Sequence, residues 1–259
     1  MNYQLAANLK KKLQQREFCL GSWITLGHPA IGEIMASKGF DFLVVDMEHT
    51  VIGLESAQHL FRSIESKGCV PIARLGESSE NLIKRVLDAG AYGILVALVN
   101  DAEGVKKVVS AAKYPPRGIR GVGLARAQGY GYDFERYKKW AADGPIVMTL
   151  VEHIEAIRNI DSILSVEGLD GTLIGPYDLS GSLGCPGEFE RREVKQAIAA
   201  YEAACKRHQK PMGFHVVHPD AKKIMEKKKK GYTFVGAGLD ILHLGDSCQG
   251  IVDTCRRAS

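Results

Sequence analysis

The feature that most restricts how this chain can fold is a strand–helix alternation repeated eight times. Apolar runs rich in β-branched residues near 19–25, 40–49, 70–75, 93–99, 145–152, 169–175, 211–217 and 232–239 read as strands. Helix-forming stretches follow at 30–37, 53–67, 79–89, 101–113, 155–164, 193–208, 219–230 and 242–257. Gly39, Gly68 and Gly90 stand just behind three of them, where glycine takes a left-handed cap at least cost. Strands joined through helices are parallel, and eight units suit an α/β fold of the closed (β/α)8 (TIM) barrel type. The length of 259 residues matches such a barrel. An open doubly wound sheet is the alternative. Against it, no dinucleotide fingerprint follows the first strand, and Gly118-x-x-Gly121-x-Gly123 lies in a loop. The chain 1–259 therefore reads as a single barrel domain. An N-terminal helix at about 3–15, a Pro/Gly-rich loop insertion at about 113–144 and a C-terminal helix at about 242–257 are its additions.

The second apolar run carries the first sign of function. Phe40-Asp41-Phe42-Leu43-Val44-Val45-Asp46-Met47-Glu48-His49 starts as a strand covered on both faces and ends in three ionisable side chains. Charges resist burial unless partnered, and in parallel α/β folds ligands bind at the carboxyl ends of strands. In a barrel those ends converge on one rim. The residues expected there are Asp46, Glu48 and His49, Arg74 from the third strand and Glu152 from the fifth. Asp178 follows the sixth strand, His215 and His218 come from the seventh, and Asp240 from the eighth. Carboxylates opposite a guanidinium describe a site for a metal ion and an anionic small molecule.

Each residue also has a plainer reading. Glu152 suits the start of a helix, Asp178 an N-cap or turn, Arg74 an ion pair with Asp46 or Glu48, and His49 a loop position. Arg117, Arg120 and Arg126 suit an anion site, the anchoring of their own loop or a subunit contact; Lys227 to Lys230 suit a solvated helix end. What favours function is coincidence, since the plainer readings must all hold at the same end of successive strands. A net charge of +4, spread along the chain, does not call for nucleic acid. Six cysteines without zinc-type spacing suit a reducing compartment, and no apolar run approaches the ~20 residues of a membrane span. A cytoplasmic protein without a membrane partner is expected.

In sequence order, Val45-Asp46-Met47-Glu48-His49, Arg74, Tyr114-Pro115-Pro116-Arg117-Gly118-Ile119-Arg120-Gly121, Glu152 and Ile174-Gly175-Pro176-Tyr177-Asp178-Leu179-Ser180 resemble the HpcH/HpaI family of metal-dependent (class II) pyruvate aldolases. The resemblance covers nearly the whole chain. It implies a barrel of the phosphoenolpyruvate/pyruvate type and a homo-oligomer, usually a hexamer with the last helix exchanged between subunits. It also implies cleavage or formation of a 4-hydroxy-2-oxo acid from pyruvate and an aldehyde. By residue match Glu152 and Asp178 would hold Mg²⁺, Mn²⁺ or Co²⁺. Arg74 would face the pyruvate oxygens, and His49 with Asp46 would form the acid/base pair. Backbone groups of Gly175, Pro176, Tyr177 and Asp178 would receive the pyruvate carboxylate, with Trp23 near the substrate.

That chemistry is physically coherent. Cleavage leaves a pyruvate enolate, whose charge a cation and a guanidinium stabilise, and a histidine accepts a hydroxyl proton near neutral pH. No lysine stands at a strand end for a Schiff base. Leu150 stands where many relatives carry Gln, and Tyr177 where they carry a small residue. These departures keep two alternatives open: oxaloacetate decarboxylation or another enolate-forming reaction, and a catalytically altered keto-acid-binding homologue.

Overall fold

The computed structural model describes residues 1–257. Eight strands, β1 (Cys19–Ile24), β2 (Phe42–Asp46), β3 (Val70–Leu75), β4 (Gly93–Val96), β5 (Ile146–Val151), β6 (Gly171–Ile174), β7 (Met212–Val216) and β8 (Phe234–Leu239), close in chain order into one barrel. Every neighbouring pair is parallel, β8 with β1 included. Helices α1 (Tyr3–Gln14), α2 (Pro29–Ala36), α3 (Leu54–Ser66), α4 (Glu80–Ala89), α5 (Ala102–Ala112) and α6 (Phe134–Ala141) belong to the first half. They are followed by α7 (Ile154–Arg158), α8 (Ile160–Leu164), α9 (Pro176–Ser182), α10 (Arg192–Arg207), α11 (Ala221–Lys229) and α12 (Asp240–Arg257).

A strand's two-residue period gives it two faces. Outward residues such as Val45, Ala73, Val96, Val151 and Ile174 pack against the helices, which supply stripes such as Ala57, Leu60, Phe61 and Ile64 of α3. Inward residues, among them Phe42, Val44, Ile72, Met148, Leu150, Leu173 and Phe234, fill the lumen. Phe42 and Phe234 stack there with ring centres 3.8 Å apart. Gly21 makes room for them, because a Cβ at that position would collide with the Phe42 ring. Two residues further along the inward face, Val44 leads to Asp46, Ile72 to Arg74, Leu150 to Glu152 and Leu173 to Gly175. The lumen is thus apolar until its last layer, where charge appears.

Helix α1 closes the opposite end, burying Tyr3, Ala6, Leu9 and Leu13 in the same inner cluster as Tyr92, Tyr137 and Ile146. Lys10 reaches through to the carbonyls of Asp143 and Pro145 at 2.5 and 3.2 Å and to Asp170 at 3.2 Å. Among the described residues, α1 covers the amino end of the barrel and leaves the carboxyl end of the strands open.

The structure differs from the sequence reading in three places. The stretch 155–164 is two short helices, broken at Asn159, whose side-chain amide donates to the Asn100 carbonyl at 3.0 Å. The stretch after β6, to which the sequence assigned no helix before 193, contains α9, which starts with proline at its first position. The loop insertion holds a 3-10 segment, Arg126–Gly131, as well as α6.

The arginines of that insertion are anchors. Arg120 has a fully buried side chain, 2.6 Å from Asp88 and 4.9 and 5.5 Å from the Tyr114 and Tyr137 ring centres. Arg126 pairs with Glu65, and Arg117 stays exposed. Replacing Arg120 by alanine leaves Asp88 the Gln128 amide, 2.9 Å away, but no charged partner in its place, and opens a void. Arg120→Ala is expected to lower unfolding stability in urea by about 3–5 kcal/mol. Arg117→Ala should stay within about 0.5 kcal/mol of the parent.

Candidate active site

β2 and β3 are in register at Asp46 and Arg74, so these side chains emerge together on the lumen side. Arg74 Nη1 lies 3.4 Å from Asp46 Oδ2, and its Nε lies 2.7 Å from Glu48 Oε2. The second contact is an ion pair rather than an aligned hydrogen bond, because both atoms lack a hydrogen-bond partner of proper geometry. The plainer reading of Arg74 as an ion-pair partner therefore holds, and it fixes the guanidinium at the mouth. Asp46 Oδ1 accepts the backbone N–H groups of Glu48 and His49 at 3.0 and 3.2 Å. The His49 imidazole itself faces Glu48, Nε2 to Oε2 3.8 Å, with its side chain 67% exposed. Asp46 thus positions the His49 backbone, whereas the ring's carboxylate neighbour is Glu48. A turn beginning directly at the aspartate produces this exchange of roles.

Across the opening, Glu152 continues the inward face of β5 beyond Leu150 and is 4% exposed. Its Oε1 accepts the Leu98 N–H at 2.8 Å, from a residue held at φ 55°. Burial raises the Glu152 pKa; the Leu98 N–H opposes this, Glu48 and Asp178 raise it further and Arg74 lowers it. All four charged groups therefore act on one small region. Asp178, in the first turn of α9, is exposed at the rim. In that turn the N–H groups of Tyr177 and Asp178 have no intrahelical acceptor. Glycine makes the close approach possible: a Cβ on Gly175 would stand 3.0 Å from Glu152 Cβ and 3.3 Å from its Oε2.

Trp23 is 3% exposed and stacks on His215, ring centres 4.1 Å apart and 10° from parallel, its indole N–H buried without an acceptor. His215 Nε2 lies 3.0 Å from the Gly238 carbonyl. Burial drives the His215 pKa down to about 4, with Gly238 and Asp46 opposing and Arg74 reinforcing. Asp240 belongs elsewhere. It accepts from the Thr25 N–H and hydroxyl and the Leu26 N–H at 2.6–2.9 Å, pinning β1 to the start of α12. His153 caps α7 through Nδ1. Sequence reasoning missed Leu98 and Gly76, whose added Cβ would meet Glu48 Cγ at 2.9 Å; for Gly76, glycine just past a strand end was the available signal.

Among the described residues no group of three or more His, Cys, Asp or Glu side chains forms a ready-made metal cage. What the mouth offers is the Glu152 carboxylate with Glu48, Asp178 and the Arg74 guanidinium in electrostatic reach, and an exposed imidazole beside Glu48. Such an arrangement can bind a cation together with an oxyanion and move a proton.

Residues 20–246 match the family described as HpcH/HpaI aldolase/citrate lyase. A 2-keto-3-deoxy-L-rhamnonate aldolase of Escherichia coli (strain K12) is 36% identical over 249 residues, covering 95% of this chain and 92% of the relative. The solved structure of an HpcH/HpaI aldolase from Desulfitobacterium hafniense superposes with a TM-score of 0.87 at 30% identity, covering 96% of each chain. That of the citrate synthase SbnG gives 0.85 at 28% identity, covering 96% of this chain and 98% of the other.

The state of His215 can be measured. Its folded pKa of about 4 lies below the unfolded 6.5, so between these values the unfolded chain binds more protons. Stability is complete above 6.5 and is lost as pH falls towards 4, by at most about 3 kcal/mol. The imidazole NMR shifts of His215 should stay constant from pH 5.5 upward, and His215→Leu should flatten the stability slope over that window.

Proposed function

The chain belongs to the HpcH/HpaI aldolase/citrate lyase family and is a carbon–carbon lyase of the aldolase type, and we propose that it cleaves or forms 4-hydroxy-2-oxo acids from pyruvate and an aldehyde with a divalent ion held by Glu152 and Asp178. The observation that carries this reading is Glu152, a carboxylate 4% exposed with one oxygen on the Leu98 N–H and two further acids within electrostatic reach. An acid so placed is costly unless a cation shares its charge. The donor set fits Mg²⁺, Mn²⁺ or Co²⁺: oxygen ligands only, with two carboxylates leaving positions for substrate and water. Bound there, such an ion supplies a Lewis acid for the keto-acid oxygens.

The remaining work falls to side chains. Arg74, fixed by Asp46 and Glu48, places a positive charge where the enolate develops and costs no rearrangement at that moment. The N–H groups of Tyr177 and Asp178 receive the pyruvate carboxylate, as the first turn of a helix favours. His49 removes the proton of the C4 hydroxyl, and Glu48 beside its Nε2 stabilises the resulting imidazolium. Trp23 and His215 form an apolar wall that keeps water from one side of the site.

A second reading, decarboxylation of oxaloacetate or another enolate-forming reaction, draws on the same parts. The likeness to a citrate synthase supports that breadth. Homo-oligomerisation belongs to the proposal as well. Helix α12 buries only Asp240, leaving Ile241, Leu244, Ile251 and Val252 open to a second subunit. No helix among the described residues is long and apolar enough to cross a membrane. Cys19, Cys69, Cys185 and Cys205 are buried and unbridged, which supports a cytoplasmic setting.

Pyruvate release from a panel of 4-hydroxy-2-oxo acids is the test. Activity is expected with added Mg²⁺ or Mn²⁺, to vanish on chelation and to return with metal. Arg74→Ala should lower kcat/KM by about 10²–10³, and His49→Ala by about 10²–10⁴. Full activity in the chelated enzyme would sink the reading.

A further inference from the structure

A crevice of about 610 Å³ lies between α10 and α11, on the helix side of β7. β7 sorts its side chains by the period of a strand. His215 turns to the lumen and stacks on Trp23, whereas Phe214 and Val216 pack with the outer layer beneath the helices. His49, Arg74, Glu152 and Asp178 are all absent from the lining. The crevice is therefore a cavity other than the catalytic one, and it is large enough for a drug-sized molecule.

Its walls carry two chemistries. One is apolar: Tyr177 and Phe189 meet edge to face at 6.2 Å and are 62% and 43% exposed, and Phe214 and Ile198 extend that surface. The other is cationic. Lys223 and Lys227, one turn apart on α11, line the crevice, and no Asp or Glu does. Here one sequence expectation fails, because Lys227 does not belong to a solvated helix end. Its Nζ sits 3.5 Å from the Phe214 ring centre and 5.3 Å from that of Tyr232. Ring faces attract an ammonium but bring no net charge to balance it. Neither lysine has a carboxylate within ion-pair distance among the described residues. Burial, reinforced by Lys230 and opposed by Glu202 and Glu226, lowers the Lys227 pKa to about 8. The charged form is held there at a cost that a bound anion removes.

Ring surface beside an unbalanced ammonium selects the occupant. A neutral apolar molecule would cover the rings and leave the Lys227 charge unmatched. A small inorganic anion would meet the charge and leave the rings in water. A planar aromatic acid does both, its ring against Tyr177, Phe189 and Phe214 and its carboxylate on the ammonium. We propose that this crevice is a second ligand site, distinct from the catalytic mouth, for an aromatic carboxylate held by Lys227 and Lys223. The assignment does not rest on the aldolase reading.

The experiment measures binding of 2-naphthoate and of its neutral isostere 2-naphthamide to the full chain, by fluorescence titration in Mn²⁺ and excess pyruvate. Naphthoate should bind at least about tenfold more tightly than naphthamide, the value of one charge-assisted contact. In Lys227→Met that ratio should fall to about one, and in Lys227→Arg it should return. Phe189→Ala should weaken both probes alike and leave the ratio unchanged. Glu152→Gln, altered only at the mouth, should bind both probes as the parent does. Equal affinity for the two probes, absence of binding, or a ratio that survives in Lys227→Met overturns the assignment. Naphthoate binding that is lost in Glu152→Gln, or that excess pyruvate abolishes, places the probe at the mouth and overturns it as well.

Discussion

Closing eight parallel strands into a ring forces every second side chain into a shared lumen, where only groups that pack or pair are tolerated. In this chain the constraint is met layer by layer. Phe42, Phe234, Ile72, Met148 and Leu173 fill the interior as an ordinary core, and α1 seals its far end. Charge is deferred to the last inward position of β2, β3 and β5, where Asp46, Arg74 and Glu152 appear, the two acids almost wholly buried. The site is the top layer of the same packing that makes the barrel.

The electrostatics at that layer are unequal on its two sides. Arg74 is held between Asp46 and Glu48 by ion pairs, without neutralising the mouth. Glu152 has a single backbone donor and carboxylate neighbours, so its ionised form is held back by burial and by like charge. Arg74 thus has two carboxylates in ion-pair reach, whereas burial and like charge oppose ionisation of Glu152. A reaction that generates an anion between the two sides gains from both. Beside them Trp23 stacks on His215, whose pKa burial lowers to about 4.

Much of this was legible in the chain. The eight-fold alternation gives the architecture, and the register of two places Asp46, Arg74 and Glu152 at one end because each follows an inward apolar residue by two. What was illegible depends on partners brought from far away. Asp240 looks like another mouth acid until Thr25 and Leu26 are found to occupy its oxygens. The basic run from Lys227 reads as solvated, yet helix phase turns Lys227 alone towards Phe214 and Tyr232. The orientation of His49 towards Glu48 is set by the turn that Asp46 nucleates, a local geometry that residue identity does not reveal. Helix α9 announced itself through Pro176, but Gly181 and the serines around it masked the signal.

On the proposed mechanism, Glu152 and Asp178 would share a cation whose remaining positions accept a keto acid. Electron paramagnetic resonance of Mn²⁺ bound to the protein, with pyruvate labelled by ¹⁷O, reads this directly. One bound Mn²⁺ per chain is expected, its lines broadened by the labelled pyruvate, with loss of that bound signal in Glu152→Gln. A labelled pyruvate that leaves the lines unchanged, or a Glu152→Gln protein that binds Mn²⁺ as the parent does, would contradict it.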